Sequence, residues 1–511
     1  MALPDLIEIV PLDKPVRAEI TVPGSKSITN RALVLAALAD GEVTLEGALW
    51  SEDTQIMVEC LQDLGFMVNV APDPDEICNR TITVYGQGGT IPGGGTVENP
   101  LELFVGNAGT AARFLSALVC LGKGVYRLHG VPRMHERPQA ALFQALRELG
   151  YRVDSPNDKL PATIFGGSSR RESAHSSSGR DQSRLTSAAT DGGLRSCTVS
   201  IVESSQFASA LLLCAKTGGW KVEVVGKNAE ESPYVAMTAK MIEAFPKSGG
   251  KFQIEPDASS GSYFWAAGLV LVLAPHFIDG PNGNLSVAKN AGATVTVRDW
   301  PNSVWQIDAK FPECLRLLAS HHSMDAEQMA AAEKQVVELY GANWRQRVEK
   351  EQQEWRDNYY KQHGIKTISR TDDLGDSIMT AIVTVTLGSE QLKFTDLGRL
   401  RVQETERVVA LRTELTKCGA KVVEEGDTLT VYPSKLHGAE IETYNDHRMA
   451  MCFAILGLKV PGIKIRNPAC VKKTFPNFFQ KLAASPPNGL GATILDAKTG
   501  RKLELKELFA D

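Results

Sequence analysis

The feature that most constrains this chain is a repeated unit: an apolar-periodic helix, a turn built on glycine or another small residue, a strand, a second turn and another strand. It reads ECLQDLGFMVNVAPDPDEICNRTITVYG from Glu59, ALRELGYRVDSPNDKLPATIFG from Ala145 and ELTKCGAKVVEEGDTLTVYP from Glu414. Weaker echoes start at Met241 and Asn290. One such unit cannot bury its own apolar face, so the units must pack together, and strands alternating with helices point to an α/β fold of βαβ-type modules. At 511 residues the chain is too long for one ordinary core, which predicts at least two domains.

Two stretches break the rhythm. Residues 168–193 are rich in Ser, Arg and Gly and read as a disordered surface insertion. Residues 325–363 are rich in Ala, Glu, Lys and Gln and read as a helical insertion split near Gly341. Neither carries a chemical motif.

Composition removes several classes of function. With 55 basic and 60 acidic side chains the net charge is −5, whereas a nucleic-acid binder shows a basic excess. No apolar run is long enough to span a bilayer, and the most apolar stretch, Trp265 to Pro275, is interrupted by glycine. The amino terminus, MALPDLIEIVPLDKP, has neither a signal-peptide nor a transit-peptide pattern, so a cytoplasmic protein is expected. Nine cysteines without CxxC pairs or metal-ligand spacing read as buried reduced thiols, and no metal or cofactor is expected.

Several segments place Gly, Ser, Thr, Asn or Asp just before an apolar-periodic run, the signature of a helix start. PGSKSITNRAL carries Lys26, Ser27 and Arg31; GNAGTAARFL carries Asn107, Gly109 and Thr110; ESSQF carries Ser204, Ser205 and Gln206. Further starts hold Asp376, then Glu404 and Arg407, then His447 and Arg448. A helix start offers free N–H groups and partial positive charge, so several of them with added cations suit phosphate and carboxylate. Arg137 in HERPQ and Lys473 in VKKTFP add cations beside prolines. PGSKS lacks the first glycine of a nucleotide-binding P-loop and no GxGxxG links a strand to a helix, so nucleotide binding has no support. Asp376, Glu404, His447 and Lys26 are the proton carriers available beside these cations.

In order along the chain, PGSKSITNRAL, GNAGTAARFL, PRMHERP, SSQF, DASSGSYF, YNDHRMAM and KKTFP resemble 5-enolpyruvylshikimate-3-phosphate synthase, in the version found inside fungal pentafunctional polypeptides. The resemblance covers about Glu8 to Ala483 apart from the two insertions. The UDP-N-acetylglucosamine enolpyruvyl transferases are a poorer match, having Lys-Asn where this chain has Lys26-Ser27. The resemblance implies a two-globe enolpyruvyl transferase fold, each globe built from three βαβαββ-type repeats. The first globe would comprise residues 1–23 and 256–511 and the second residues 24–255, with helix starts facing a cleft.

The resemblance also implies transfer of the enolpyruvyl group of phosphoenolpyruvate to the 5-hydroxyl of shikimate 3-phosphate, without a metal and with release of phosphate. Carried over by motif, Lys26, Ser27, Arg31, Ser204, Ser205, Gln206, Tyr234, Asp376, Arg399 and Gln403 would bind shikimate 3-phosphate. Lys26, Asn107, Gly109, Thr110, Arg137, Gln206, Arg407, Arg448 and Lys473 would bind phosphoenolpyruvate. Lys26, Asp376, Glu404 and His447 would be catalytic. The partners implied are these two small molecules and other shikimate-pathway domains, with neither nucleic acid nor membrane.

Three features depart from the family pattern. Arg399 and Gln403 stand where an asparagine and a lysine are expected, Glu231 precedes Ser232-Pro233-Tyr234, and a Gly-Asp-led helix is not recognisable between Asp279 and Ala291. They support a rival reading, a catalytically impaired relative that keeps the fold and anion binding.

Overall fold

The computed structural model describes residues 3–167, 195–226, 232–272, 294–318, 364–388 and 390–510. Both sequence-predicted insertions, Glu231 and the interval from Asp279 to Ala291 lie outside those residues. The chain divides into two compact units, one formed by Met1–Val22 with Pro256–Asp511 and the other by Pro23–Glu255.

In the Pro23–Glu255 unit, Leu101–Phe104 pairs in parallel with Val125–His129, which is extended antiparallel by Ala162–Phe165 and then Arg152–Asp154. A second sheet repeats that pattern with Gly250–Gln253, Asp40–Leu49, Asn79–Gln87 and Val68–Pro72. Arg195–Ser200 and Trp220–Val225 form a parallel pair joined by the helix Ser205–Gly218. Every side chain of the helix Gly109–Leu118 is buried, and it packs between the helices Lys26–Leu38 and Ser205–Gly218. A helix apolar all round belongs in a core, and a polar side chain on it then needs a reason.

The other unit has sheets of related build. Thr367–Ser369 lies parallel to Leu392–Thr395, followed antiparallel by Thr428–Val431 and Val422–Glu425. Leu6–Ile9 sits between Ile463–Arg466 and Ile494–Asp496, with Glu440–Ile441 parallel to Ile463–Arg466. Arg17–Ile20 pairs in parallel with Thr294–Val297. Its core includes Ile20, Ile382, Phe394, Phe453 and the mutually packed rings of Phe264, Phe475 and Phe478.

Parallel neighbours require a crossover, and in four of the parallel pairs it is a helix: Gly109–Leu118, Ser205–Gly218, Ile378–Val385 and His447–Gly457. Each therefore begins just beyond the carboxyl end of a strand, the end of an α/β sheet where ligands bind. This topology puts Gly109, Thr110, Ser205, Gln206, His447 and Arg448 at helix starts.

The three clearest repeats form a helix and an antiparallel hairpin, and each helix is followed by a glycine in the left-handed region: Gly65 at φ 87°, Gly150 at 88° and Gly419 at 87°. The two weaker echoes differ. The one at Met241 supplies a helix end and the single strand Gly250–Gln253. The one at Asn290 supplies only Thr294–Val297, because VWQID turns helical at Ile307–Lys310 and leads into the helix Phe311–Leu318. Gln306 and Asp308 serve neighbouring helix starts rather than a strand: Gln306 Oε1 accepts from Ala258 N (3.0 Å), and Asp308 Oδ1 from Ser377 N (2.8 Å). Asp308 thus leads into the helix Phe311–Leu318, while the interval from Asp279 to Ala291 lies outside the described residues.

Candidate active site

In the Pro23–Glu255 unit the helix Lys26–Leu38 starts without a side-chain cap, so its first N–H groups are left for another acceptor. Lys26 Nζ meets Asp53 Oδ2 at 3.0 Å, where Asp53 opens the helix Glu52–Asp63. Arg31, one turn on and 1% exposed, donates to the Ser27 carbonyl (2.8 Å), Thr238 Oγ1 (2.7 Å), Ser209 Oγ (3.0 Å) and the Tyr234 carbonyl (3.4 Å). These partners are neutral. Burial consequently pushes the Arg31 guanidinium down to about 10, with only a partial opposing effect from Tyr234. A cation desolvated among neutral oxygens favours an arriving anion.

A second cluster surrounds Gly109, whose helix likewise starts uncapped. A methyl group at Gly109 would lie 2.7 Å from both Arg113 Nη1 and Arg137 Nη2, so only glycine admits two guanidiniums so close to the backbone. Arg113 donates to Gln206 Oε1 (2.7 Å), and Gln206 Nε2 to Thr110 Oγ1 (3.1 Å). Arg137 Nη1 reaches the Asn107 carbonyl at 3.2 Å, while Arg137 Nε and Asn107 Oδ1 are buried with no partner among the described residues. Ser204 caps its helix by accepting from Gln206 N (3.3 Å), and Ser205 is buried beside it.

In the other unit the predicted residues form one ion-paired chain. Arg407, 1% exposed, binds Asp446 through Nε (2.7 Å to Oδ2) and Nη2 (3.2 Å to Oδ1), and also reaches Glu404 Oε2 (2.8 Å) and Asp376 Oδ2 (3.9 Å). Glu404 Oε1 lies 3.2 Å from Lys473 Nζ. Asp376 Oδ1 accepts from Arg370 Nη2 at 2.7 Å and its Oδ2 faces Arg448 Nη2 at 3.3 Å. His447 is buried with Nδ1 4.0 Å from Asp446 Oδ1. Burial alone would raise the Asp376 carboxyl, but Arg448, Arg370 and Arg407 together hold it well below the usual carboxylate range. Burial likewise opposes charge on Arg407, and Asp446, Glu404 and Asp376 more than offset it.

Gln403 Oε1 accepts from Arg407 Nη1, so the amide at this departure from the family pattern engages the cluster's central arginine. Arg399 is half-buried on the helical turn Leu397–Val402. The sequence reading does not single out Asp53, Arg113, Asp308, Arg370 or Asp446. Arg113 carried a usable signal, a charge four residues after Gly109 in an otherwise apolar helix. Asp446 stands next to His447 and caps that helix, accepting from Arg448 N at 2.9 Å. Among the described residues no group of three His, Cys, Asp or Glu could hold a metal ion, and no helix is long and apolar enough to cross a membrane. All nine cysteines are buried and unbridged.

In the unit of Met1–Val22 and Pro256–Asp511 the arrangement is a set of buried cations balanced by internal carboxylates, suited to exchanging those carboxylates for the anionic groups of ligands. A protein 35% identical over 93% of this chain and 98% of its own length is the 3-phosphoshikimate 1-carboxyvinyltransferase of a Nostoc species. The chloroplastic enzyme of that name from Solanum lycopersicum is 33% identical over 94% of this chain and 84% of its own. The fold matches EPSP synthase from Acinetobacter baumannii (TM-score 0.60, 18% identity, 96% of this chain and 99% of that one). It also matches the enolpyruvyl transferase NikO from Streptomyces tendae (TM-score 0.55, 15% identity, 98% and 99%). The family model for EPSP synthase, 3-phosphoshikimate 1-carboxyvinyltransferase, fits residues 11–299 and 320–482, and the chain belongs to that family.

Proposed function

We propose that this chain transfers the enolpyruvyl group of phosphoenolpyruvate to the 5-hydroxyl of shikimate 3-phosphate, releasing phosphate, as a step of aromatic amino acid biosynthesis. The observation that carries this reading is the ion-paired chain of Asp376, Arg407, Glu404 and Lys473, which gathers proton carriers and anion-binding cations from three separate segments.

Arg407, Arg448 and Lys473, with Asn107, Gly109, Thr110, Arg137 and Gln206, receive the phosphate and carboxylate of phosphoenolpyruvate. Ser27, Arg31, Ser204, Ser205, Gln206, Tyr234, Arg399 and Gln403 receive shikimate 3-phosphate, and Lys26 serves both. Asp376 orients the acceptor hydroxyl. The hydroxyl oxygen bonds to C2 of phosphoenolpyruvate and gives up its proton, while C3 gains one, forming a tetrahedral intermediate. The C2–O bond to phosphate then breaks and C3 loses a proton, restoring the double bond. Glu404, Lys26 and His447 are the proton carriers in this scheme.

Glu404 is held by Lys473 and Arg407. Engagement of those two cations by phosphoenolpyruvate would release the Glu404 carboxylate. Orientation and preset charge supply most of the rate under this scheme. Proton NMR of the product is the test: a vinylidene pair carried on the 5-oxygen of the shikimate ring is expected, and unchanged substrates would refute the proposal.

We also propose a cytoplasmic setting and association with other shikimate-pathway domains. The buried, unbridged thiols support a reducing compartment. Cell fractionation and co-purification test these points.

A further inference from the structure

Arg370 belongs to none of the motifs that mark the site, yet it makes the shortest contact to Asp376, 2.7 Å from Nη2 to Oδ1. It is 5% exposed and directly follows the strand Thr367–Ser369, where its backbone N–H donates to the Thr395 carbonyl at 3.2 Å. The turn behind it is tied at several points. Ser369 Oγ accepts from Thr371 N (3.1 Å) and Asp372 N (3.2 Å) and donates to Asp396 Oδ2 (2.7 Å); Asp373 Oδ2 accepts from Ser369 N (2.8 Å). Lys310 Nζ holds the Asp372 carbonyl at 3.0 Å.

Arg370 Nε is buried with no partner among the described residues. An unmet donor beside a charge costs stability and is retained where function requires the group. Asp376 also faces Arg407 and Arg448, whose counter-charges are Glu404, Asp446, Asp257 and Asp308. Under the proposed function both of those arginines are drawn to phosphoenolpyruvate, and Arg370 is the cation left to Asp376.

We propose that Arg370 is a positioning residue for the transfer, fixing Asp376 through Oδ1 as an oriented anion so that Oδ2 can accept from the acceptor hydroxyl. The inference rests on Asp376 acting on that hydroxyl, as proposed above.

The test uses the full chain with Arg370→Gln, Arg370→Lys and Asp376→Asn, each checked for folding by thermal melt. Removing the cation makes Asp376 easier to protonate, so the acid limb of the pH profile of kcat should move to higher pH in Arg370→Gln. Its kcat should fall roughly tenfold or more, the scale of one charge-assisted hydrogen bond. KM for phosphoenolpyruvate should change by less than about twofold, since other residues hold that substrate. Arg370→Lys should restore the acid limb but not the full kcat, because an ammonium lacks the fork. A folded Arg370→Gln with an unmoved acid limb overturns the inference, as does Arg370→Lys with unaltered kcat should the glutamine variant not fold. Asp376→Asn with ordinary turnover overturns the parent reading instead.

Discussion

Arg407 and Asp446, 39 residues apart at the starts of two helices, form a buried two-point ion pair, Nε to Oδ2 at 2.7 Å and Nη2 to Oδ1 at 3.2 Å. The pair fixes the arginine from which Glu404, Gln403 and Asp376 are all reached. Removing one partner of a buried pair strands the other charge, at about 3–5 kcal/mol. Asp446→Ala is therefore expected to lower the urea midpoint strongly and to abolish turnover. Retention of both would show that the pair is dispensable.

Lys473→Met should raise KM for phosphoenolpyruvate far more than KM for shikimate 3-phosphate, because its ammonium lies against Glu404 and is proposed to hand itself to the phosphate. Steady-state kinetics with each substrate varied in turn reads this out. Equal effects on the two KM values would contradict the assignment.

Gln403→Lys removes the oxygen that accepts from Arg407 and puts an ammonium beside a guanidinium. The sequence alone suggests that this change would repair a deficit. The structure predicts the opposite, a weaker affinity for phosphoenolpyruvate, measurable by calorimetry; a gain in affinity for either substrate would mean that the glutamine is a defect.

Stability should depend on pH through Asp376. Its folded carboxyl lies well below the ordinary 3.8, so the unfolded chain binds the extra proton. The stabilisation is then complete above that value and is lost as pH falls through and below it. Thermal melts of Asp376→Asn from neutral pH down to about pH 3 should show a smaller acid-induced loss than the parent protein. Identical pH dependence would remove Asp376 as its source.

Gly150 and Gly109 test two different demands for glycine. Nothing lies within 4 Å of a Cβ at Gly150, so Gly150→Ala should cost only the left-handed backbone, about 1 kcal/mol in a urea melt, with turnover unchanged. Gly109→Ala forces Arg113 and Arg137 apart, and should raise KM for phosphoenolpyruvate by roughly tenfold to a hundredfold with less effect on stability. The reverse pattern would contradict both assignments.

These residues also show what could be read from the sequence. The glycines at 65, 150 and 419 mark helix ends through local backbone chemistry, and the helices and hairpins they punctuate were legible for that reason. Lys26, Gly109, Gln206, Asp376 and Arg407 stood out because each lies at a helix start, where polar residues interrupt an apolar pattern. The partners were not legible. Asp308 meets Ser377 across 69 positions and Arg113 meets Gln206 across 93, and no local period encodes such pairings. The VWQID segment misled because alternating residue types read as a strand while Gln306 and Asp308 were committed to distant helix starts.

The central claim is that bound phosphoenolpyruvate and shikimate 3-phosphate react on this chain through Glu404 and the cations around it. Release of inorganic phosphate from the purified protein tests it most directly. The account predicts sustained release only with both substrates present, lost in Glu404→Gln while shikimate 3-phosphate still binds. Release from phosphoenolpyruvate alone, or undiminished release by Glu404→Gln, would contradict it.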